Sequence, residues 1–221
     1  MIEIYEVKER VNADNNKVAA QTRQLLKENN VFFINLMASP GAGKTTLLTK
    51  TIESLKDTYR IGVMEADVDS SVDAQTIEKL GVKVIQLHSG GLCHMDADMT
   101  YRGLEKLGLE NLDLIFLENI GNLVCPAEFD VGAQMKVMIL SVPEGDDKPL
   151  KYPLMFEVSD VVLVNKIDTL PVFDFDKNKF KQNVSLRNPD APIIYISALT
   201  NEGIDEWINL LKDKIEKWRN S

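Results

Sequence analysis

The sequence is poor in cysteine, histidine and long apolar runs, and each shortage excludes a class of protein. Only two cysteines and two histidines occur among 221 residues, so no disulfide framework is expected. There is no run of about 18 apolar residues, and the first residues lack the apolar core of a secretory signal. We therefore expect no membrane association and a reducing, cytoplasmic location.

Positive charge is also scarce. The chain has 25 basic and 34 acidic residues, a formal net charge of −9, and no stretch rich in Lys or Arg. Because nucleic acids attract basic surfaces, no nucleic-acid partner is expected. The length and a hydrophobic content of 44% fit one sizeable domain better than two. We expect a single domain over residues 1–221, with an N-terminal arm and helix at about 1–30.

The strongest motif follows an apolar, strand-like run at residues 31–37. The next residues read Ala38-Ser-Pro-Gly-Ala-Gly-Lys-Thr-Thr46 and lead into a helical pattern. This is a phosphate-binding loop of the Walker A type, with Ala38 where the first glycine is usual. Backbone N–H groups at the start of a helix would bind the β-phosphate, and the lysine would reach the β- and γ-phosphates. The predicted nucleotide-binding residues here are Ser39, Gly41, Ala42, Gly43, Lys44, Thr45 and Thr46.

Short apolar runs alternate with helical patterns along the rest of the chain. This alternation predicts an α/β fold, a P-loop nucleoside triphosphatase with a mostly parallel sheet of about seven strands flanked by helices. Ligands of such sheets bind at the carboxyl ends of the strands. The predicted strands are 31–37, 60–66, 82–87, 112–117, 136–142, 161–164 and 193–196. The predicted helices are 14–28 with Asp14 as N-cap, 47–56, 74–80, 96–107, part of 173–188 and 204–218, and 143–153 is predicted to be a polar loop.

A second motif indicates which nucleotide is bound. Asn165-Lys-Ile-Asp168 directly follows a buried strand, and the Asp168 carboxylate could accept from both N1–H and the 2-amino group of guanine. Adenine offers no such pair of donors, so the motif favours GTP over ATP. Lys166 would lie along the base, and Asn165 would tie this loop to the phosphate loop. Ser197, Ala198 and Leu199, after the next strand, are predicted to contact the guanine oxygen.

Acidic residues follow two other strands. Glu118-Asn-Ile-Gly121 stands where GTPases usually carry Asp-x-x-Gly, and Gly121 could sense the γ-phosphate through its N–H group. Asp67, Asp69 and Asp73 follow the second strand, and one of them would complete a magnesium shell or orient the attacking water. The predicted magnesium ligands are Thr45, Asp73 and Glu118, the last either directly or through a water. The predicted catalytic residues are Lys44, Asp67, Asp73 and Glu118.

Three soft ligands fall in two loops at the same expected sheet edge. Cys93 and His94 follow the third strand, and Cys125 lies just past Gly121. Thiolate and imidazole suit Ni²⁺ or Zn²⁺ far better than Mg²⁺. Three ligands leave such an ion incomplete, so a two-fold dimer could share the site. His88 is interpreted as a structural residue at a strand end.

These stretches together resemble the HypB family of nickel-insertion GTPases. The match rests on residues 38–46, 65–67, 90–94, 118–126 and 165–168, in the family's order. The resemblance implies a SIMIBI-type GTPase, a GTP-dependent homodimer and a nickel or zinc site on Cys93, His94 and Cys125. It also implies a HypA-type metallochaperone and the large subunit of a nickel-iron hydrogenase as partners. The sequence has neither the N-terminal cysteine cluster nor the His-rich segment of some members, so this one site would handle the metal.

Other functions are compatible with parts of the pattern. A urease- or cobalamin-type GTPase chaperone would share the nucleotide motifs, and a P-loop small-molecule kinase would share the phosphate loop. Kinases of this fold usually carry an Arg-bearing lid, and no Arg-rich loop is present. Lys148, in the predicted loop at 143–153, is a candidate for contact with the nucleotide across a dimer.

Overall fold

The computed structural model describes residues 7–67 and 72–221, and within these ranges seven parallel strands form one sheet. The strand order is β3-β2-β4-β1-β5-β6-β7. The strands are β1 (Phe32–Ala38), β2 (Ile61–Asp67), β3 (Lys83–His88), β4 (Leu114–Glu118), β5 (Met135–Ser141), β6 (Val161–Asn165) and β7 (Ile193–Tyr195). The predicted α/β class and parallel sheet are confirmed. Asp69 and most of the predicted N-terminal arm lie outside the described residues.

Helices cover both faces of the sheet. They are α1 (Val7–Glu28), α2 (Lys44–Leu55), α3 (Val72–Glu78), α4 (Ala97–Leu107), α5 (Cys125–Glu128), α6 (Lys148–Lys151), α7 (Pro153–Glu157), α8 (Lys177–Ser185) and α9 (Ile204–Arg219). Two short 3-10 turns occupy Val142–Glu144 and Ile167–Thr169.

Two sequence predictions about these elements are wrong. Helix α1 begins at Val7, so Asp14 lies inside the helix and does not cap it. Lys8, Glu9 and Arg10 are strong helix formers, so the helix continues on the N-terminal side of Asp14, although aspartate favours N-cap positions. The predicted loop at 143–153 contains short helices, because proline is tolerated in the first turn of a helix.

Strand β1 lies at the centre of the sheet, and all seven of its residues are buried. Phe32, Ile34 and Leu36 join the hydrophobic core under α2 and α9. Phe33 joins a second core under α1 and α4, on the opposite face. Side chains alternate along a strand, so burial on both faces requires the continuous apolar run seen in the sequence.

The residues with recognisable chemistry follow strand ends. The phosphate loop follows β1, and the acidic segment follows β2. Cys93 and His94 follow β3, Cys125 follows β4, and the two predicted guanine motifs follow β6 and β7. Since all seven strands are parallel, these loops meet at one edge of the sheet. Within the described ranges, no helix has the length and hydropathy needed to cross a membrane.

Candidate nucleotide and metal sites

The phosphate loop joins β1 to α2 and depends on two glycines with positive φ. Gly41 has φ of 75° and Gly43 has φ of 93°, in the left-handed region that favours glycine. Gly43 is the N-cap of α2, so Lys44 and Thr45 form the first turn of that helix. A helix N-terminus with open N–H groups is a ready anion-binding site.

A cavity of about 620 Å³ lies at this helix N-terminus. It is bounded by the phosphate loop, the ends of β2 and β4, and the residue after β6. The predicted site residues that line it are Gly41, Gly43, Lys44, Thr45, Thr46, Asp67, Asp73, Glu118, Gly121 and Lys166. The structure therefore gathers the phosphate, magnesium and catalytic candidates around one space.

Three carboxylates converge in this cavity. Oxygens of Glu65, Asp73 and Glu118 lie within 4.8 Å of one another. The Thr45 hydroxyl donates a hydrogen bond to Glu118 Oε1 at 2.7 Å. Glu65 and Glu118 are each only 2% exposed, and one carboxylate oxygen of each has no hydrogen-bond partner among the described residues. A buried oxygen without a partner is costly, and a bound Mg²⁺ would supply the missing partner.

The electrostatics of the carboxylates support the same interpretation. The pKa of Glu118 is raised to about 7, chiefly by burial. The negative charges of Asp73 and Asp67 act in the same direction, and the Thr45 hydrogen bond and the charge of Lys44 oppose it. Burial likewise raises the pKa of Glu65 to about 7, with Glu118 adding to the effect. A divalent cation would stabilise the ionised forms of these groups. The donor set, a hydroxyl and several carboxylates, fits Mg²⁺.

Glu65 is a site residue that the sequence prediction missed. It lies within β2, whose other residues from Ile61 to Ala66 are apolar and buried, and the family resemblance includes it in residues 65–67 without a role. A signal was available, because an acidic residue inside a buried strand is costly unless it has a partner.

The guanine motif is tied to the phosphate loop by two side chains. Asn165 Nδ2 donates to the carbonyl oxygen of Ala42 at 2.9 Å, as the sequence predicted. Lys166, whose φ is 61°, donates from Nζ to the carbonyl oxygen of Gly41 at 2.7 Å. These bonds hold the loop after β6 against the phosphate loop, where a bound base would extend from the phosphates.

The other guanine candidates lie together, outside the cavity lining. Asp168 is exposed, and its Oδ1 accepts a hydrogen bond from the Ser197 hydroxyl at 2.6 Å. The Ala198 N–H group, predicted to contact guanine, donates to Asn165 Oδ1 at 3.1 Å. Leu199 is 78% exposed. Their roles with the base stay predictions.

Two further phosphate-loop candidates, Ser39 and Ala42, are not among the residues that line the cavity. Ser39 donates its hydroxyl hydrogen bond to the carboxylate of Glu144. The side chain of Ala42 is fully buried in the core. Any contact of these residues with a phosphate would come from their backbone N–H groups.

The three soft ligands meet as the sequence predicted. The sulfur, imidazole and sulfur donor atoms of Cys93, His94 and Cys125 lie within 4.8 Å of one another. The Sγ atoms of the two cysteines are 2.8 Å apart, and Cys93 Sγ lies 3.8 Å from His94 Nδ1. Cys93 is exposed and the other two are half-buried, so the group is open to solvent. Such a site could receive and release an ion.

The surroundings of this group prepare it for a metal ion. The His94 ring stacks on Phe129 with centroids 4.0 Å apart, which fixes the plane of the imidazole. Burial lowers the pKa of His94, so the ring is neutral and able to ligate near neutral pH. The neighbouring Cys93 thiol, together with burial, raises the pKa of Cys125. A bound cation would reverse this effect by stabilising the thiolates.

Comparison with known proteins identifies the family of the chain. Residues 32–195 match the family model described as CobW/HypB/UreG, nucleotide-binding domain. The chain is 44% identical over 198 residues to the hydrogenase maturation factor HypB of Escherichia coli K12, covering 90% of this chain and 68% of that protein. It is 37% identical over 203 residues to the probable hydrogenase maturation factor HypB of Methanocaldococcus jannaschii, covering 92% of each.

A solved structure has the same fold. The HypB of Helicobacter pylori in complex with nickel superposes with a TM-score of 0.86 at 36% identity, covering 92% of this chain and 96% of that one. This chain is related over most of its length to these proteins. The related region includes the phosphate loop, the predicted guanine motif and the two loops that carry Cys93 and Cys125. The chain therefore belongs to the HypB family of hydrogenase maturation factors, within the CobW/HypB/UreG group of nucleotide-binding proteins.

Proposed function

We propose that this chain is a GTP-hydrolysing metallochaperone that carries nickel and delivers it during maturation of a nickel-iron hydrogenase. One observation supports the coupling most directly. The side chains of Cys93, His94 and Cys125 are called the metal-ligand group here. Glu118, which lines the nucleotide cavity, and Cys125 of this group are only seven residues apart in the chain. A change around the γ-phosphate can therefore reach a metal ligand through one short segment.

The nucleotide half of the cycle follows from the cavity. Lys44 and the first N–H groups of α2 bind the β- and γ-phosphates, and the exposed Asp168 accepts from guanine. Mg²⁺, held by Thr45, Asp73 and Glu118, would offset the negative charge that develops on the γ-phosphate. Asp67, at the end of β2, or Asp73 orients the water that attacks the γ-phosphate in line.

The metal half follows from the ligand chemistry. Two thiolates and one imidazole favour Ni²⁺ or Zn²⁺, which here would be cargo. Cys93, His94 and Cys125 supply three donors, one short of a four-coordinate shell. A second copy of the chain, paired in the GTP-bound state, would supply further donors, and hydrolysis would separate the copies and release the ion.

The proposed partners follow from the family. These are a second copy of the chain, a HypA-type metallochaperone and the large subunit of the hydrogenase. With two free cysteines available as ligands, the protein would act in a reducing cytoplasm.

One specific observation favours a second destination for the nickel. A Helicobacter pylori relative, 36% identical over 210 residues, is named as a hydrogenase/urease maturation factor. Delivery to urease would need the same nucleotide cycle and the same soft ligands. Reconstitution of each apoenzyme with the nickel-loaded protein separates the two destinations.

Light scattering coupled to size exclusion tests the proposal. The protein is loaded with Ni²⁺ or Zn²⁺ and run with GDP and with a non-hydrolysable GTP analogue, and metal is quantified in each peak. We expect a dimer with the analogue, a monomer with GDP, and different metal contents in the two peaks. The same mass and metal content in both runs would contradict the proposal.

A further inference from the structure

Asn122 lies between the nucleotide cavity and the metal-ligand group, and neither the motifs nor the ligand chemistry assigns it a role. It follows Gly121, which lines the cavity, and precedes Cys125 by three residues. The residue is half-buried, and its backbone and side chain make hydrogen bonds in two directions.

The backbone of Asn122 is hydrogen-bonded to the start of the phosphate loop. Its N–H group donates to the carbonyl oxygen of Ala38 at 2.8 Å. The preceding Gly121 lies so close to the same loop that a Cβ there would be 3.0 Å from the backbone nitrogen of Pro40. A displacement of the segment at Gly121, where the γ-phosphate is expected, therefore moves Asn122 as well.

The side chain of Asn122 holds the metal-ligand loop. Its Oδ1 accepts from the N–H groups of Val124 at 2.7 Å and Cys125 at 3.4 Å, a local turn that begins α5. Its Nδ2 donates to Cys125 Sγ at 3.5 Å. An N–H donor directed at a thiolate fixes its orientation and tunes its strength as a metal ligand.

We propose that Asn122 is the positioning residue through which the nucleotide state changes the metal affinity of Cys125. The inference rests on the proposed function and names the contact that carries the coupling. In one nucleotide state Nδ2 donates to Sγ, and in the other the shifted backbone withdraws it. The metal ligands are the same in both nucleotide states. The hydrogen bond that stabilises and orients the Cys125 thiolate is present in only one of them, so the metal affinity differs.

The substitution Asn122→Asp tests this contact. Aspartate keeps an acceptor for the two N–H groups of the turn, but it replaces the Nδ2 donor by a negative oxygen facing the sulfur. Zn²⁺ and Ni²⁺ affinities are measured by competition with a chromophoric chelator, in GDP and in a non-hydrolysable GTP analogue. We expect a loss of roughly 10–100-fold in affinity. We also expect the ratio of the affinities in the two nucleotides to fall toward one.

Asn209→Asp is the matched control, since it makes the same chemical change at an exposed position of α9. Its metal affinities and their ratio should equal those of the parent. Asn122→Ser is a second variant for the case in which the aspartate disturbs folding. Serine keeps a short acceptor for the turn but has no N–H group to reach Sγ.

A purely structural role predicts a different result. It would lower the unfolding temperature and both affinities together, leaving their ratio at the parent value. The thiolate-to-metal charge-transfer band of the Ni²⁺ form gives an independent readout, because it should shift with nucleotide in the parent and stay constant in Asn122→Asp. An unchanged ratio in the variant would overturn the inference and leave the proposed function intact. Absence of metal binding by the parent protein would overturn both.

Discussion

Asn165 and Ala42 are 123 residues apart in sequence, yet the Asn165 side chain donates to the Ala42 carbonyl at 2.9 Å. Its Oδ1 accepts from Ala198, so one amide links three loops at the sheet edge. A Cβ on Gly43 would lie 2.5 Å from Asn165 Nδ2, so glycine at that position leaves the space for this contact. The phosphate end and the guanine end of the site are thereby held in a fixed relation before any nucleotide binds.

The substitution Asp168→Asn should change base selection without loss of the fold. The carboxylate that is proposed to pair with the two guanine donors becomes an amide, which presents a donor of its own. We expect GTP affinity to fall by about 100-fold, since one guanine donor loses its acceptor and instead faces the amide N–H donor. Xanthosine triphosphate, whose ring carries a carbonyl in place of the amino group, should bind better than GTP.

Nucleotide affinities measured with fluorescent analogues check this prediction. Asp174→Asn, at an exposed position outside the motif, is the control and should leave both affinities unchanged. Equal losses for both nucleotides in Asp168→Asn would show that the residue supports the loop and does not read the base.

The substitution Lys44→Ala should abolish most GTP hydrolysis. Lys44 lines the cavity at the first turn of α2, where it faces the expected phosphates. Loss of one fixed charge near the transferred phosphoryl group typically costs roughly 100-fold or more in rate. Phosphate release is the measurement, and Lys50→Ala, later in the same helix, is the control that should retain the parent rate. Equal rates in all three proteins would exclude this cavity as the hydrolytic site.

The strands were predictable because parallel strands buried on both faces need apolar runs that stand out in the sequence. The predicted strand at 136–142 is observed at Met135–Ser141, displaced by one residue. Helix α5 was missed, because its four residues are too few to show a periodicity. Its start is fixed by the local hydrogen bonds of Asn122.

The site was predictable where local chemistry defines it and unpredictable where strand order does. Gly43 and Lys44 belong to a pattern that phosphate binding itself requires. Glu65 is different, because it becomes a site residue only when β2 pairs with β4 and brings it directly opposite Glu118. That pairing is a tertiary fact, and a sequence pattern on β2 alone cannot supply it.

Replacement of each histidine by alanine should lower the metal affinity at His94 and leave it unchanged at His88. His94 belongs to the metal-ligand group, whereas the exposed His88 at the end of β3 does not. We expect His94→Ala to lose more than about 100-fold in Ni²⁺ or Zn²⁺ affinity, above the usual cost of losing an outer-shell partner. His88→Ala should bind like the parent. The measurement is equilibrium competition with a chelator under reducing conditions, and similar losses in both variants would contradict the assignment.

The buried carboxylates should make stability depend on pH. Burial raises the pKa of Glu65 and Glu118 to about 7, from 4.5 for a free glutamate. Between those values the folded protein keeps protons that the unfolded chain has lost, so the free energy of unfolding falls as pH rises. The contribution is full below about pH 4.5 and lost as pH passes 7.

Urea unfolding at several pH values, with chelator and without nucleotide, measures this dependence. Glu65→Gln removes one of the two groups, so its stability should fall less steeply between pH 5 and 7. Glu206→Gln, at an exposed position of α9, should keep the parent slope. Mg²⁺ binding should release protons in the same window, because a cation requires the ionised carboxylates. Parallel slopes for all three proteins would mean that Glu65 does not titrate in this range.

The substitution Gly121→Ala should weaken nucleotide binding by crowding the phosphate loop. A Cβ at this position would lie 3.0 Å from the Pro40 nitrogen and 3.1 Å from its Cα, and backbone atoms cannot turn aside as a side chain can. Overpacking of this kind costs roughly 1–3 kcal/mol. Gly62→Ala is the matched comparison, because its Cβ would lie 2.8 Å from Leu112 in the core, away from the cavity. Both variants should unfold at lower urea concentration, but only Gly121→Ala should lose GDP and GTP affinity. Equal losses of nucleotide affinity in Gly121→Ala and Gly62→Ala would mean that the added methyl group acts through global stability. Gly121 would then not be in direct contact with the bound phosphates.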